Sequence, residues 1–173
     1  MNFDLDDDQV ALREFALELA GRTADRYWQD ADSEYRFPQE FWSALTEAGM
    51  LGIALPPDYG GGGKGLLELA IAVEGVAEGG GGMEAGSLFL AGPVFGGCLL
   101  SRHGTDAQKE AFLPKLIAGE MCAGAFTEPE SGSNVAAIKT SAVRRDDRYV
   151  INGQKIYISL VQQSRHIVVL ART

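Results

Sequence analysis

Cysteine and histidine are both scarce in this chain of 173 residues, which has two of each: Cys98, Cys122, His103 and His166. Two cysteines embedded in apolar sequence do not make a disulfide framework, so we expect reduced core thiols. The histidines stand far apart without a companion at metal-ligand spacing, so no metal centre is expected. No Ser/His/Asp or Cys/His arrangement for nucleophilic catalysis can be argued either.

Blocks of positive charge are also missing. The chain has 15 Lys and Arg against 24 Asp and Glu, a formal net charge of −9, which makes nucleic acid an unexpected partner. The start lacks the basic and apolar regions of a secretory signal. The longest uncharged run, Ala85–Ser101, contains Pro93 and several glycines, and a buried helix is favoured over a membrane span. We therefore expect a cytoplasmic globular protein.

Glycine, by contrast, is abundant, with 22 residues, and two runs of it suggest phosphate loops. The run Gly60–Gly63 is followed by Lys64 but lacks the Ser or Thr of a Walker-type loop. The run from Gly80 to Ala85 fits a loose dinucleotide pattern, yet it follows a predicted helix rather than a strand. Both runs are interpreted as connectors.

Apolar residues recur at helical spacing as far as Gly119. Boundaries come from Pro and Gly and from a capping box at Thr105 and Gln108. A kink is expected at Pro93 and a break at Pro114, which would split the last helix in two. A short extended piece is expected at Met50–Leu55. The predicted helices cover about residues 6–31, 38–49, 66–78, 87–102 and 105–119.

From Met121 the apolar pattern changes to a period of two, which predicts strands. Asp146-Asp147 is predicted as a turn, and Asn152-Gly153 is a strong hairpin signal between two of the strands. In the second, Tyr157 and Ser159 face away from the apolar side chains, so this face is expected to meet something other than core. The predicted strands are Thr140–Arg145, Arg148–Ile151, Gln154–Leu160 and His166–Ala171.

These patterns predict an α+β fold with two parts. An N-terminal all-α helical domain covers residues 1–119, and the first strands of an antiparallel β-barrel-like domain cover residues 120–173. The last strand leaves an apolar sheet edge, which a self-contained protein would normally cover. We expect a remainder of the sheet to be missing or to come from another chain.

The stretch Met121–Asn134 (MCAGAFTEPESGSN) joins the two parts. Pro129 keeps the residue before it extended, and Thr127, Ser131 and Ser133 supply hydroxyls. Gly132 permits a sharp turn that aims backbone N–H groups at one point, which suits a phosphate or the edge of a polar heterocycle. The alternative is a Ser/Gly-rich corner without a ligand, and the residues alone leave both open.

Two segments, GAFTEPESGSN and IKTSAVRRDDRYVINGQKIYIS, together with MLGIALPPDYGG and HGTDAQKEAFLPKLIAGE upstream, resemble the acyl-CoA dehydrogenase family. The resemblance covers essentially the whole chain. It implies a helical domain, a middle β-domain and a C-terminal four-helix domain that this sequence lacks. It also implies FAD as cofactor, an acyl-CoA substrate, an electron-transfer flavoprotein or other acceptor, and a homo-oligomer or complementary subunit.

The resemblance also assigns cofactor-binding residues. Phe126 and Thr127 match positions that contact the flavin ring in the family. Gly132 and Ser133 match the turn near the FAD pyrophosphate, and Ser133 also borders the substrate thioester.

A second segment completes this predicted flavin wall. Tyr157 replaces an aromatic residue, usually Trp, that packs on the flavin. Ser159 replaces a Thr or Ser near the reactive flavin nitrogen, and Ile158 between them belongs to the same wall. Asn134 and Leu160 depart from the family, which usually has Asp and a small polar residue there.

No catalytic residue is assigned. The family removes the substrate α-proton with a glutamate that lies in or beside the C-terminal domain, and Glu128 is expected to have a structural place instead. The expected function is the N-terminal part of an FAD-dependent acyl-CoA dehydrogenase. The alternatives are a non-catalytic partner subunit or remnant of that fold, and an acyl-CoA oxidase- or flavin monooxygenase-like relative.

Overall fold

Seven α-helices and four strands make up the regular structure of residues 4–23 and 25–173, which a computed structural model describes. The helices are α1 (Asp7–Gly21), α2 (Asp25–Ser33), α3 (Gln39–Glu47), α4 (Leu66–Val76), α5 (Gly82–Ser87), α6 (Leu99–His103) and α7 (Asp106–Ile117). The strands are β1 (Cys122–Ala125), β2 (Ser141–Arg145), β3 (Arg148–Asn152) and β4 (His166–Val169).

The helix that begins at the predicted Thr105 capping box is α7. Thr105 accepts a hydrogen bond from the Gln108 backbone N–H, and the Gln108 side chain accepts one from the Thr105 N–H. The predicted split at Pro114 is wrong, because α7 continues through this residue to Ile117. Pro114 is exposed, so the carbonyl that loses its helical partner one turn earlier can be hydrated.

Two other local predictions are wrong. The first predicted helix is divided in two, since the Thr23 N–H donates to the Ala20 carbonyl in a closing turn and a separate helix begins at Asp25. The predicted extended piece at Met50–Leu55 instead begins with a 3₁₀ turn. Gly49, with φ of 71°, precedes this turn, and the Met50 side chain at its start is buried.

The helical run Leu66–His103 passes through the core as a series of kinked segments. Gly80 interrupts it with φ of 120°, and the predicted kink before Pro93 is confirmed by non-helical angles at Gly92. By length and composition this run could cross a membrane. The core helix of a soluble protein passes the same test, so the finding is weak evidence for a span.

The central hydrophobic core lies among α1, α3, α4 and the middle of the kinked run, at residues 85–89. Its buried side chains include Leu45, Leu51 and Phe89. The indole N–H of Trp42 donates to the Gly119 carbonyl at 2.9 Å, which ties α3 to the end of α7. The chain therefore leaves the helical part at a fixed point, only a few residues before β1.

Two separate strand pairs follow. The strands β1 and β4 run parallel with Cys122 opposite His166, and β2 and β3 form an antiparallel hairpin. The hairpin turns at Asp146 (φ of 55°) and Asp147, which confirms the turn predicted there, but the second hairpin predicted at Asn152-Gly153 is not formed. An Asn-Gly pair closes a hairpin only where both flanks pair, and the residues after Gly153 do not form a strand.

The predicted fold class is confirmed: a helical N-terminal part is followed by a few strands, without a closed barrel among the described residues. The proposed domain boundary at residues 119 and 120 lies in the connection between α7 and β1 and stays a prediction. Several apolar side chains of the hairpin are exposed, among them Val143, Tyr149 and Ile151. Within the described chain, β4 pairs with β1 along one edge only.

Candidate functional site

The end of β1 meets a segment about thirty residues further along the chain. The backbone N–H of Ile156 donates to the Thr127 carbonyl at 3.0 Å. This hydrogen bond lies between the two segments that the sequence assigns to one flavin wall, Phe126–Ser133 and Tyr157–Ser159. The fold therefore brings the two halves of the predicted wall next to each other.

A buried carboxylate holds the same junction together. Glu128 is 6% exposed, and its Oε1 accepts from the Thr140 backbone N–H at 2.9 Å and from Lys155 Nζ at 2.9 Å. Its Oε2 accepts from the Lys139 N–H at 2.6 Å. One side chain thus joins the end of β1, the start of β2 and the segment at residue 155.

These contacts lower the pKa of Glu128 to about 2. The Thr140 hydroxyl beside the carboxylate contributes most, although it falls short of a regular hydrogen bond. The Lys139 N–H and the Lys155 ammonium favour the ionised form further. A carboxylate this acidic is a poor general base near neutral pH, which agrees with a structural place for Glu128.

The tight turn after β1 is closed by Glu128 and Ser131, so Pro129 and Glu130 lie at its centre and Gly132 follows it. Glu128 and Ser131 exchange two backbone hydrogen bonds, of 2.8 and 3.1 Å. The Ser131 hydroxyl is buried and donates to the Asn134 carbonyl at 2.6 Å. The sequence suggested that this hydroxyl is available to a ligand. In the structure it stabilises the loop instead.

The backbone conformation at Gly132 does not require a glycine, because its φ lies outside the left-handed region. A Cβ built on it meets no atom within 4 Å. The open space beside its backbone is instead where a ligand can approach closely.

The predicted strand at Gln154–Leu160 is not formed. Tyr157 and Leu160 have φ of 57° and 58°, which places both residues in the left-handed region, outside the strand conformation. The alternation of burial nevertheless persists, since Tyr157 and Ser159 are exposed while Ile156 and Ile158 are half-buried. Tyr157 is 88% exposed, so its ring is free to stack on a planar ligand.

The described residues at this junction fit a flavin. Gly132, Ser133, Tyr157 and Ser159 are exposed, and Thr127 is half-buried. They offer hydroxyl donors, open backbone and one aromatic face, which is what a flat heterocycle with polar edges and a phosphate tail requires.

Phe126 occupies the inner side of the same junction. Its ring packs against Phe95 with centroids 5.4 Å apart. A Cβ on the neighbouring Gly124 would lie 2.6 Å from the Phe126 ring and 2.7 Å from Phe95. Phe126 is therefore fixed by packing between the strand and the helical part.

Lys155 is the residue that sequence reasoning missed. Its Nζ donates to the Phe126 carbonyl and to Glu128, both at 2.9 Å. The side chain is only 10% exposed. The available signal was a lysine beside the apolar Ile156, two residues before the predicted flavin residue Tyr157, with the similarly buried Glu128 as its partner.

The scarce Cys and His residues form no site of their own. The described residues contain no cluster of three or more metal-ligating side chains. His166 Nε2 lies 2.8 Å from Glu120 Oε2, beside a cavity of about 390 Å³ between α7 and β4. Cys98 and Cys122 are free thiols, as predicted, and burial raises the pKa of both.

Comparison with known proteins gives two family matches that together span nearly all of the chain. The sequence model of "Acyl-CoA dehydrogenase, N-terminal domain" matches residues 6–120, and that of "Acyl-CoA dehydrogenase, middle domain" matches residues 123–173. Acyl-CoA dehydrogenase FadE12 of Mycobacterium tuberculosis is 33% identical over 168 residues, 96% of this chain and 42% of that protein.

Solved structures share the fold. Butyryl-CoA dehydrogenase from Megasphaera elsdenii superimposes with a TM-score of 0.86 at 28% identity, over 99% of this chain and 45% of that one. The FAD complex of PigA superimposes with a TM-score of 0.91 at 25% identity, over 100% of this chain and 45% of that one. The chain thus spans less than half the length of these relatives.

Proposed function

Because this chain belongs to the acyl-CoA dehydrogenase family, we propose that it forms one wall of an FAD site in a protein that oxidises acyl-CoA thioesters. The observation that carries the proposal is the hydrogen bond from the Ile156 N–H to the Thr127 carbonyl. It makes neighbours of two segments that resemble the flavin-contacting motifs of the family.

Each exposed side chain of the wall has a proposed role toward the flavin. The Thr127 hydroxyl donates to the polar edge of the ring system, beside the apolar surface of Phe126. The exposed Tyr157 ring stacks on the flavin, and Ile158 supports it from the half-buried side. The Ser159 hydroxyl donates near the reactive nitrogen.

The turn after β1 has a second proposed role. The open backbone at Gly132 admits the FAD pyrophosphate, and the exposed Ser133 hydroxyl donates to it or to the thioester beside it. The Glu128–Ser131 hydrogen bonds hold this turn in place before any ligand arrives.

When bound, FAD supplies the hydride acceptor for α,β-desaturation of the acyl-CoA. The residues of this chain bind and orient; none of them is proposed to remove the substrate α-proton. Glu128 already accepts three hydrogen bonds, and its pKa of about 2 leaves it ionised and weakly basic. We propose that electrons pass on to an electron-transfer flavoprotein or another acceptor. The cytoplasmic location and homo-oligomeric state stay predictions.

A second candidate is a non-catalytic subunit that binds a complementary chain. The exposed apolar side chains of the hairpin, such as Val143 and Ile151, favour it. Both candidates share the flavin wall and differ in whether a second polypeptide is required for turnover.

The purified chain, mixed with FAD and freed of excess cofactor, tests the proposal. We expect a flavin absorbance band that co-elutes with the protein. We expect no reduction of an artificial electron acceptor when butyryl-CoA or isovaleryl-CoA is added. A colourless protein would overturn the flavin site, and turnover by this chain alone would overturn the assignment that it lacks the base.

A further inference from the structure

We propose that Lys155 is the positioning residue of the flavin wall: its ammonium sets the place of Tyr157 and Ser159 relative to Thr127. This inference rests on the proposed function and adds a role that the flavin-contacting residues themselves do not have. Lys155 does not face the exposed side of the wall, since its side chain is 10% exposed.

Two consecutive residues of one segment hold three consecutive residues of the other. Lys155 Nζ bonds to the Phe126 carbonyl and to the Glu128 carboxylate, both at 2.9 Å. The N–H of the next residue, Ile156, bonds to the Thr127 carbonyl between them. The register of the two segments is therefore fixed on both sides of Thr127.

No other hydrogen bond in the described chain holds residues 154–159. Tyr157 is 88% exposed, and it takes up a left-handed backbone conformation, which a tyrosine seldom adopts unless its surroundings impose it. The positions of Tyr157 and Ser159 thus depend on this hydrogen-bonded anchor before them and on the packing of Leu160 against the core after them.

A lysine suits this place because one ammonium has three donors and carries charge. It bonds to a neutral carbonyl and an ionised carboxylate at once, and the buried carboxylate in turn needs an opposite charge. The low pKa of Glu128 keeps that partner ionised across the physiological range.

The chain contains a matched control. Lys139 pairs with Glu130 on the same turn, but the two side chains are 73% and 70% exposed. Neither of these side chains forms a hydrogen bond with residues 154–159 in the described structure. Loss of the Lys139 side chain removes an exposed ammonium and leaves in place the Lys139 backbone N–H that donates to Glu128.

Hydrogen exchange read by mass spectrometry on the full chain tests the inference without any cofactor. We expect Lys155→Met to raise the exchange rate of the Ile156 amide, the hydrogen-bonded backbone N–H among the described residues 154–159, by roughly tenfold to a hundredfold, the range for loss of a charged hydrogen bond. Peptides of β2 and β3 should keep their protection. Lys155→Arg should restore most of the protection, and Lys139→Met should match the wild type.

Equilibrium FAD titration of the same variants gives the functional readout. We expect the dissociation constant to rise at least tenfold for Lys155→Met and to stay within twofold for Lys139→Met. If the wild type binds no FAD, the proposed function fails, but the exchange experiment still decides whether Lys155 positions the segment.

Unchanged exchange at residues 154–159 in Lys155→Met would overturn the inference. Equal loss of protection across β2, β3 and this segment would also overturn it, because that pattern indicates a general structural role. If Lys155→Met does not fold, Glu128→Gln/Lys155→Met removes both buried charges together. This double variant is expected to fold and to lose protection at residues 154–159, and retained protection in it would refute the positioning role.

Discussion

The substitution Gly132→Ala distinguishes between two interpretations of this turn: a ligand-binding site and a corner of the fold without a ligand. A Cβ at this position meets no atom within 4 Å, and the backbone is outside the left-handed region. The native chain therefore accommodates the methyl group without strain. Since alanine also narrows the unfolded ensemble, we expect the free energy of unfolding to be unchanged or to rise by up to about 1 kcal/mol.

The expected effect on FAD binding is opposite in sign. If a pyrophosphate oxygen approaches the Gly132 backbone, the added methyl occupies the space between them. Crowding one extra methyl into a close contact costs about 1–3 kcal/mol, which corresponds to affinity roughly 5- to 150-fold weaker. The same variant would then keep or gain stability toward unfolding while it loses affinity for FAD.

Urea unfolding followed by circular dichroism gives the stability, and FAD fluorescence titration gives the affinity. Gly21→Ala is the control, because a Cβ there meets only the Gly79 carbonyl oxygen at 3.7 Å, away from the junction. It should leave FAD binding unchanged. If Gly132→Ala binds FAD as tightly as the wild type, no cofactor group lies against this backbone and the proposed phosphate position is wrong.

Three further predictions concern stability and reactivity. The pKa of Glu128 is lowered to about 2 in the folded chain. Its contribution to the free energy of unfolding is therefore present above the unfolded pKa and is lost as pH falls from about 4.5 toward 2. Urea unfolding across this range should show a smaller loss of stability for Glu128→Gln than for the wild type, and identical losses would contradict the low pKa of Glu128. Leu45 is fully buried, and Leu45→Ala should lower the free energy of unfolding by about 2–5 kcal/mol; a loss below about 1 kcal/mol in urea unfolding would refute its core position. Burial raises the pKa of Cys98 and Cys122, so a thiol reagent at pH 8 should label both slowly in the native chain and rapidly in urea; fast native labelling of Cys122 would contradict its burial.

Local signals account for most of the helical part. The capping box at Thr105 and the stops at Gly49 and Gly119 act within a few residues, so the sequence alone locates them. Pro114 shows the limit of such reasoning. Whether a helix continues through proline depends on solvent access to the freed carbonyl, and the sequence does not specify that access.

Pairing between distant segments could not be predicted in the same way. The parallel partner of β1 is β4, about forty residues later, and no local pattern encodes that choice. The Asn152-Gly153 signal was misleading because the following segment crosses to Thr127 instead of folding back on β3. A turn propensity decides a hairpin only when the pairing energy of both flanks agrees with it.

The candidate site was predictable as a set of motifs but not as a contact network. Thr127, Tyr157 and Ser159 follow from the resemblance to family segments, and their burial pattern agrees with alternation along the chain. The ion pair between Lys155 and Glu128 is a tertiary contact between residues 27 positions apart. Only the fold reveals that these two side chains are buried together.

The most direct test of the central claim is an equilibrium FAD titration of the wild-type chain beside Tyr157→Ala. A flavin wall predicts saturable binding of one FAD per chain, with quenched flavin fluorescence. Loss of the exposed Tyr157 ring should weaken binding by roughly two- to tenfold, the range for removal of an aromatic stacking contact. Absence of saturable binding, or equal affinity in the two proteins, would contradict the claim that this junction holds a flavin.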